Sequence, residues 1–132
     1  MLQIVYDAHL ARDGKYHSDT ILAASNLSTI LVHLEDWTEA KKVTRDILPA
    51  ARRTLGVDHY TTMGIYWTYA MCLANPEDAS LDDLIKAEAV LDETSRRWRR
   101  VMGEAHPDTG FIQNALGRVR EKLARVRAAA NG

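Results

Sequence analysis

Three histidines recur in one frame. His17, His59 and His106 each stand three residues after a glycine (Gly14, Gly56, Gly103) and three before a threonine (Thr20, Thr62, Thr109). Imidazole can ligate zinc or move protons, so three copies invite a metal or acid–base reading. The spacing argues against it. The copies lie 42 and 47 residues apart, the period of a repeated structural unit. Turns in a stacked array are separated by a whole helix pair, about 10 Å or more, whereas the nitrogen ligands of one zinc ion sit about 2 Å from it. Packing and hydrogen bonding at a turn is the reading the spacing supports. His9 and His33 belong to no ligand-spaced cluster, Cys72 falls on an apolar helix face, and no nucleophile elbow or paired-histidine zinc helix is present. The glycines read as helix ends rather than as a phosphate loop. We therefore expect no catalytic residue, no metal and no cofactor.

The scaffold that carries these turns is bounded by composition. With 132 residues, 46% hydrophobic and 27% charged, the chain has room for one ordered domain. Lys+Arg 17 against Asp+Glu 18 leaves no global basic field, which weighs against a general nucleic-acid binder. A single cysteine excludes an internal disulfide framework and fits a reducing compartment, so an intracellular, cytoplasmic location is the default expectation. No apolar run approaches the length of a transmembrane span, and no secretory pattern opens the sequence. Asn26-Leu27-Ser28 is then a chance glycosylation sequon.

Read in order, residues 1–14 form the back half of a helix with Leu2, Val5, Tyr6 and Leu10 at helical spacing, a half unit equivalent to the second helix of a preceding repeat. Residues 15–56 form a full repeat. Ser18 or Asp19 is expected to cap its first helix, about 20–34, whose apolar set is Leu22, Leu27, Ile30, Leu31 and Leu34. Glu35-Asp36 is a polar break. The second helix runs from about 37 to 55 with Ala40, Val43, Ile47, Leu48 and Ala51 on one face, and Pro49 bends it without ending it. Residues 57–103 repeat the plan with helices at about 61–73 and 81–102. A loop insertion at 75–80 accounts for the longer interval, and Ser80 is the expected cap of the second helix. Residues 104–132 form a C-terminal capping helix to about Ala129, carrying Phe111, Ile112, Leu116 and Val119 and then a basic half.

The order Gly-x-x-His-x-x-Thr, a helix with a large apolar then a small residue (Leu27-Ser28, Tyr69-Ala70, Leu116-Gly117), and Ala40 or Ala87 in the second helix resembles the 42-residue tetratricopeptide repeats of the kinesin light chain type. His106-Pro107-Asp108-Thr109 carries the likeness most closely. The resemblance implies an all-α fold, a right-handed α-α superhelix of antiparallel helix pairs. Thr44 and Ile47, and Leu91 and Thr94, replace the family's aromatic and alanine, and Trp98 is placed to refill that space from the position where the other copy has Ala51.

The resemblance also implies non-catalytic protein binding, with first helices lining a concave groove. That would expose Ser25, Asn26, Thr29 and His33 from one unit, Trp67, Thr68 and Met71 from the next, and Asn114 and Arg118 from the third. Trp67 and Met71 read equally well as packing between helices. Arg96, Arg97, Arg99, Arg100, Arg120, Lys122 and Arg125 form a basic surface that is either a solvated face or a contact for an acidic protein. Two roles follow. One is a scaffold or adapter that grips a partner segment in its groove. The alternative is a constitutive subunit or fragment of a larger assembly, held by its end faces and basic surface, with the N-terminal half unit as a possible homo-oligomer contact.

Overall fold

The computed structural model describes residues 2–131. Its elements are α1 (Leu2–Asp13), α2 (Ser18–His33), α3 (Trp37–Thr54), α4 (Tyr60–Ala74), α5 (Leu81–Met102) and α6 (Pro107–Asn131), with no strand among the described residues. Connections of three to six residues make neighbours antiparallel. Each helix packs on the next, and α2 also packs on α4, so the first helices of the two full units stand side by side.

The three turns share one construction. Gly14, Gly56 and Gly103 take φ of 76°, 96° and 87°, where an L side chain costs about 1–2 kcal/mol. Their amides still donate into the ending helix, to the carbonyls of Leu10 (3.0 Å), Arg52 (3.1 Å) and Arg99 (2.9 Å). Three residues on, the histidine caps the next helix. Its Nδ1 accepts from the backbone N–H of Asp19 at 3.1 Å, Thr61 at 3.0 Å and Asp108 at 3.1 Å, satisfying one of the amides that a helix start leaves orphaned. The acceptor role requires an unprotonated Nδ1.

The threonine is buried in every copy. Its hydroxyl donates back across the turn, from Thr20 to the His9 carbonyl (3.2 Å), from Thr62 to that of Ala51 (3.4 Å) and from Thr109 to that of Gly103 (2.8 Å). One seven-residue segment thus ends a helix, starts the next and ties the two together.

The expectation that Ser18 or Asp19 caps α2 is overturned, because both lie inside the helix and His17 is the N-cap. Imidazole supplies the same acceptor that Ser or Asp would. Ser80 does cap α5, in a reciprocal pair with Asp83: its Oγ accepts from the Asp83 N–H at 3.0 Å, and its own N–H donates to Asp83 Oδ2 at 3.3 Å. Between α2 and α3, Glu35 takes φ 58° while the Asp36 and Glu35 amides donate to Leu31 and Val32, the Schellman pattern usually closed by glycine. Pro49 sits within an unbroken α3.

The core runs through Ile21, Ala24, Leu27, Ala40, Val43, Ile47, Leu48 and Ala51 and continues into α4, α5 and α6. The expected apolar set of α2 is corrected, since Leu22 (52% exposed), Ile30 (44%) and Leu34 (71%) face outward. Buried Thr20 fixes the phase of the helix, so the inward face is Thr20, Ile21, Ala24, Leu27 and Ser28. Val5, Leu10 and Phe111 are likewise exposed. Trp98, at the position of Ala51, does fill a gap. It is 3% exposed, forms a small separate core with Met63 and Ile112, and lies 5.3 Å from the Tyr60 ring and 5.8 Å edge-on to His106.

Removing a cap leaves an orphan amide, so His59→Ala should cost about 1 kcal/mol in urea denaturation, while His59→Asn keeps most of the stability. Glu35→Gly, which relieves a left-handed side chain, should raise stability by up to about 1 kcal/mol in the same assay.

Candidate groove and basic surface

Rotating the inward face of α2 onto Thr20, Ala24 and Leu27 leaves Ser25, Thr29 and His33 on an adjoining stripe beside α4. There they meet an α4 stripe of Tyr60, Gly64, Trp67, Thr68 and Met71, the spacing of one helix face. Between the stripes lies a cavity of about 380 Å³ whose wall is apolar where Val32, Tyr60, Trp67 and Met71 contribute, with Trp98 and Asp108 also at its lining. Six residues expected in a groove therefore line one cavity: Ser25, Thr29, His33, Trp67, Thr68 and Met71.

Asn26 is exposed on α2 but does not line this cavity, and neither do Asn114 and Arg118 on α6. Arg118 lines a second cleft of about 240 Å³ with Met71, Asn75, Lys122 and Arg125, so Met71 borders both. Tyr60, at 55% exposure, was not expected in the lining. Its signal was an aromatic directly after the histidine cap, on a side of α4 that apolar periodicity alone does not distinguish.

The packing and lining readings of Trp67 and Met71 both hold. Each packs against the core and also faces the cavity. The indole N–H groups of Trp67 and Trp98 are buried without a partner, an uncommon cost for native donors. Nearby hydroxyls are committed internally, Thr29 to the Ser25 carbonyl and Thr68 to the Gly64 carbonyl, each at 3.0 Å.

The basic surface is largely neutralised by local carboxylates. Arg96 pairs with Asp92 at 2.9 Å, Arg97 with Glu93 at 2.6 Å and Asp58 at 3.4 Å, Arg99 with Glu104 at 3.1 Å, and Arg100 with Asp58 at 3.4 Å. Arg120 reaches Glu88 at 3.5 Å and Asp92 at 3.4 Å. Such exposed pairs are each worth at most about 1 kcal/mol. The Lys122 ammonium donates to the carbonyls of Ala74 (2.7 Å) and Pro76 (3.0 Å), closing the C-terminal end of α4. Arg118 and Arg125 make no ion pair among the described residues.

Cys72 is buried, and desolvation pushes its thiol up to about 11, so it is held as the unreactive thiol at neutral pH. Among the described residues no His, Cys, Asp and Glu side chains gather in a group that could hold a metal ion, and no helix is long and apolar enough to cross a membrane.

Antiparallel helix pairs in register, tied by identical turns and enclosing a groove between first helices, define a helical repeat scaffold. The tetratricopeptide repeat family profile matches residues 20–60 and 79–108, more than half of the chain, and the chain belongs to that family. The match is of the kinesin light chain type. A search of curated proteins gave no match. The stretch between the matched segments, residues 61–78, contains almost all of α4 and the first part of the 75–80 loop.

Burial of Cys72 predicts that a disulfide reagent at pH 8 leaves the native chain unmodified and titrates one thiol after denaturation. Stoichiometric reaction of the folded protein would contradict the assignment.

Proposed function

We propose that the chain is a non-catalytic adapter that grips an extended segment of a partner protein in the cavity between α2 and α4. Tetratricopeptide repeats generally mediate protein–protein interactions and are typically non-catalytic scaffolds. The observation that carries the finer reading is the apolar cavity itself, about 380 Å³ and open beside exposed Tyr60. Such concave apolar sites with a few polar groups suit a buried side-chain anchor. Trp67, Met71, Val32 and Tyr60 would hold one apolar side chain of the partner. Ser25, Thr29, His33 and Thr68 at the cavity, with Asn26, Asn114 and Arg118 beyond it, would meet the partner's backbone, whose N–H and C=O groups an extended segment leaves free. Arg118 and Arg125 would be the basic residues most available to an acidic flank.

Trp67 also packs against the core, so its removal mixes stability with binding. Tyr60 and Thr29 are cleaner probes because both are exposed. For a peptide selected from a random library against the wild-type chain, Tyr60→Ala should weaken Kd about tenfold, as loss of an aromatic anchor does. Thr29→Arg should abolish binding by filling the cavity. Helical circular dichroism and the melting temperature should stay near wild type for both, and unaltered Kd in both variants would defeat the proposal.

A further inference from the structure

Asp108 brings an unpaired charge to an apolar wall. It is half-buried in the first turn of α6, and its carboxylate makes no ion pair and no side-chain hydrogen bond among the described residues, whereas those of Asp58, Asp92 and Glu93 all hold arginines. The turn fixes its place. The Asp108 N–H donates to His106 Nδ1 at 3.1 Å, and the His106 ring stands 5.8 Å edge-on to Trp98, itself 5.3 Å from Tyr60. Asp108, Trp98, Tyr60 and Trp67 all line the cavity between α2 and α4, and no lysine or arginine does. Three aromatic rings and one carboxylate thus border a single space of about 380 Å³.

That composition selects the charge of what fills it. A side chain that closed the cavity would take water from Asp108, and a carboxylate that loses water without gaining a counter-charge is costly. A purely apolar side chain leaves that cost unmet. A carboxylate, to which the two unpartnered indole N–H groups could donate, would be repelled by Asp108. A cation suits both parts of the wall, because it pairs with the carboxylate and is attracted to aromatic ring faces. Among cations the guanidinium fits an apolar site best: it is planar, weakly hydrated, stacks on aromatic rings and can hold a carboxylate through two N–H groups at once. The chain makes such a contact elsewhere, with Arg53 4.8 Å over the Tyr16 ring.

We infer that the partner segment is anchored by an arginine, its guanidinium paired with Asp108 and stacked on Tyr60, its methylene stem lying against Trp67. This anchor presupposes the groove reading above and adds a charge to it: Trp67 meets an apolar stem and Asp108 the cationic head. His33, on the same lining, would bring a competing positive charge when protonated, so binding is measured at pH 8.

Peptides selected at that pH from a random library against the wild-type chain test this by titration calorimetry. They should share an arginine at one position. Replacing it with citrulline, which keeps the shape and loses the charge, should weaken Kd about tenfold. Asp108→Asn should weaken the arginine peptide by a similar factor and should not weaken the citrulline peptide, the non-additivity of a direct pair. Circular dichroism and the melting temperature of the variant should stay near wild type. Peptides that Tyr60→Ala weakens but that share no arginine, share a lysine or an acidic residue instead, or ignore Asp108→Asn would overturn the arginine anchor and leave the groove standing. Equal weakening of the arginine and citrulline peptides by Asp108→Asn would mark a structural role for Asp108 and overturn it too. Peptides indifferent to both Tyr60→Ala and Asp108→Asn would overturn the groove, and the anchor with it.

Discussion

Everything in this molecule depends on what happens at a buried threonine hydroxyl. Thr20, Thr62 and Thr109 stand at the first turn of a helix and donate to a carbonyl at or near the end of the helix before. A buried hydroxyl without a partner would cost about 1–3 kcal/mol. The bond therefore fixes both the distance between successive helices and the rotation of the later one about its axis. The histidine cap and the left-handed glycine make that placement reachable within a short connection. Rotation then decides which residues are core and which face the groove, so a turn far from the cavity sets its lining.

That dependence explains what could and could not be read from the sequence. The repeat intervals, the helix count and the inward face of α3 were legible because 42-residue self-similarity and 3.6-residue periodicity are both strong signals. The inward face of α2 was read only in part: Leu27 is buried as expected, but fully buried Ile21 and the small or polar Thr20, Ala24 and Ser28 were not in the expected set, while Leu22, Ile30 and the C-cap Leu34 are exposed. An apolar periodicity passes over small and polar residues that pack inward, and so it mixed two faces of this helix. His17, His59 and His106 were legible as hydrogen bonding at a turn but not as helix caps, because imidazole is not among the preferred capping side chains, although its Nδ1 accepts the same amide.

The cavity was partly legible. Residues 42 apart, Ser25 with Trp67 and Thr29 with Met71, could be placed on equivalent faces from the repeat alone, and the structure does bring them to one cavity. Asn26 and Asn114, chosen by family analogy, stand outside it. Tyr60, Val32 and Trp98 enter through side-chain volume. Trp98 of α5 forms a small core with Met63 and Ile112, the exposed Tyr60 ring lies against it, and α6 packs along α5. Spacing rules carry no information about such filling.

The central claim is that this cavity is where a partner segment is held. The most direct measurement is amide and indole NMR of the isotopically labelled chain, titrated with a peptide selected for binding to it. The account predicts shifts concentrated on Ser25 to His33 and Tyr60 to Met71, with the unpartnered indole N–H signals of Trp67 and Trp98 among the most perturbed. Shifts confined to α6, the basic surface or the end faces, with both indoles unmoved, would contradict it.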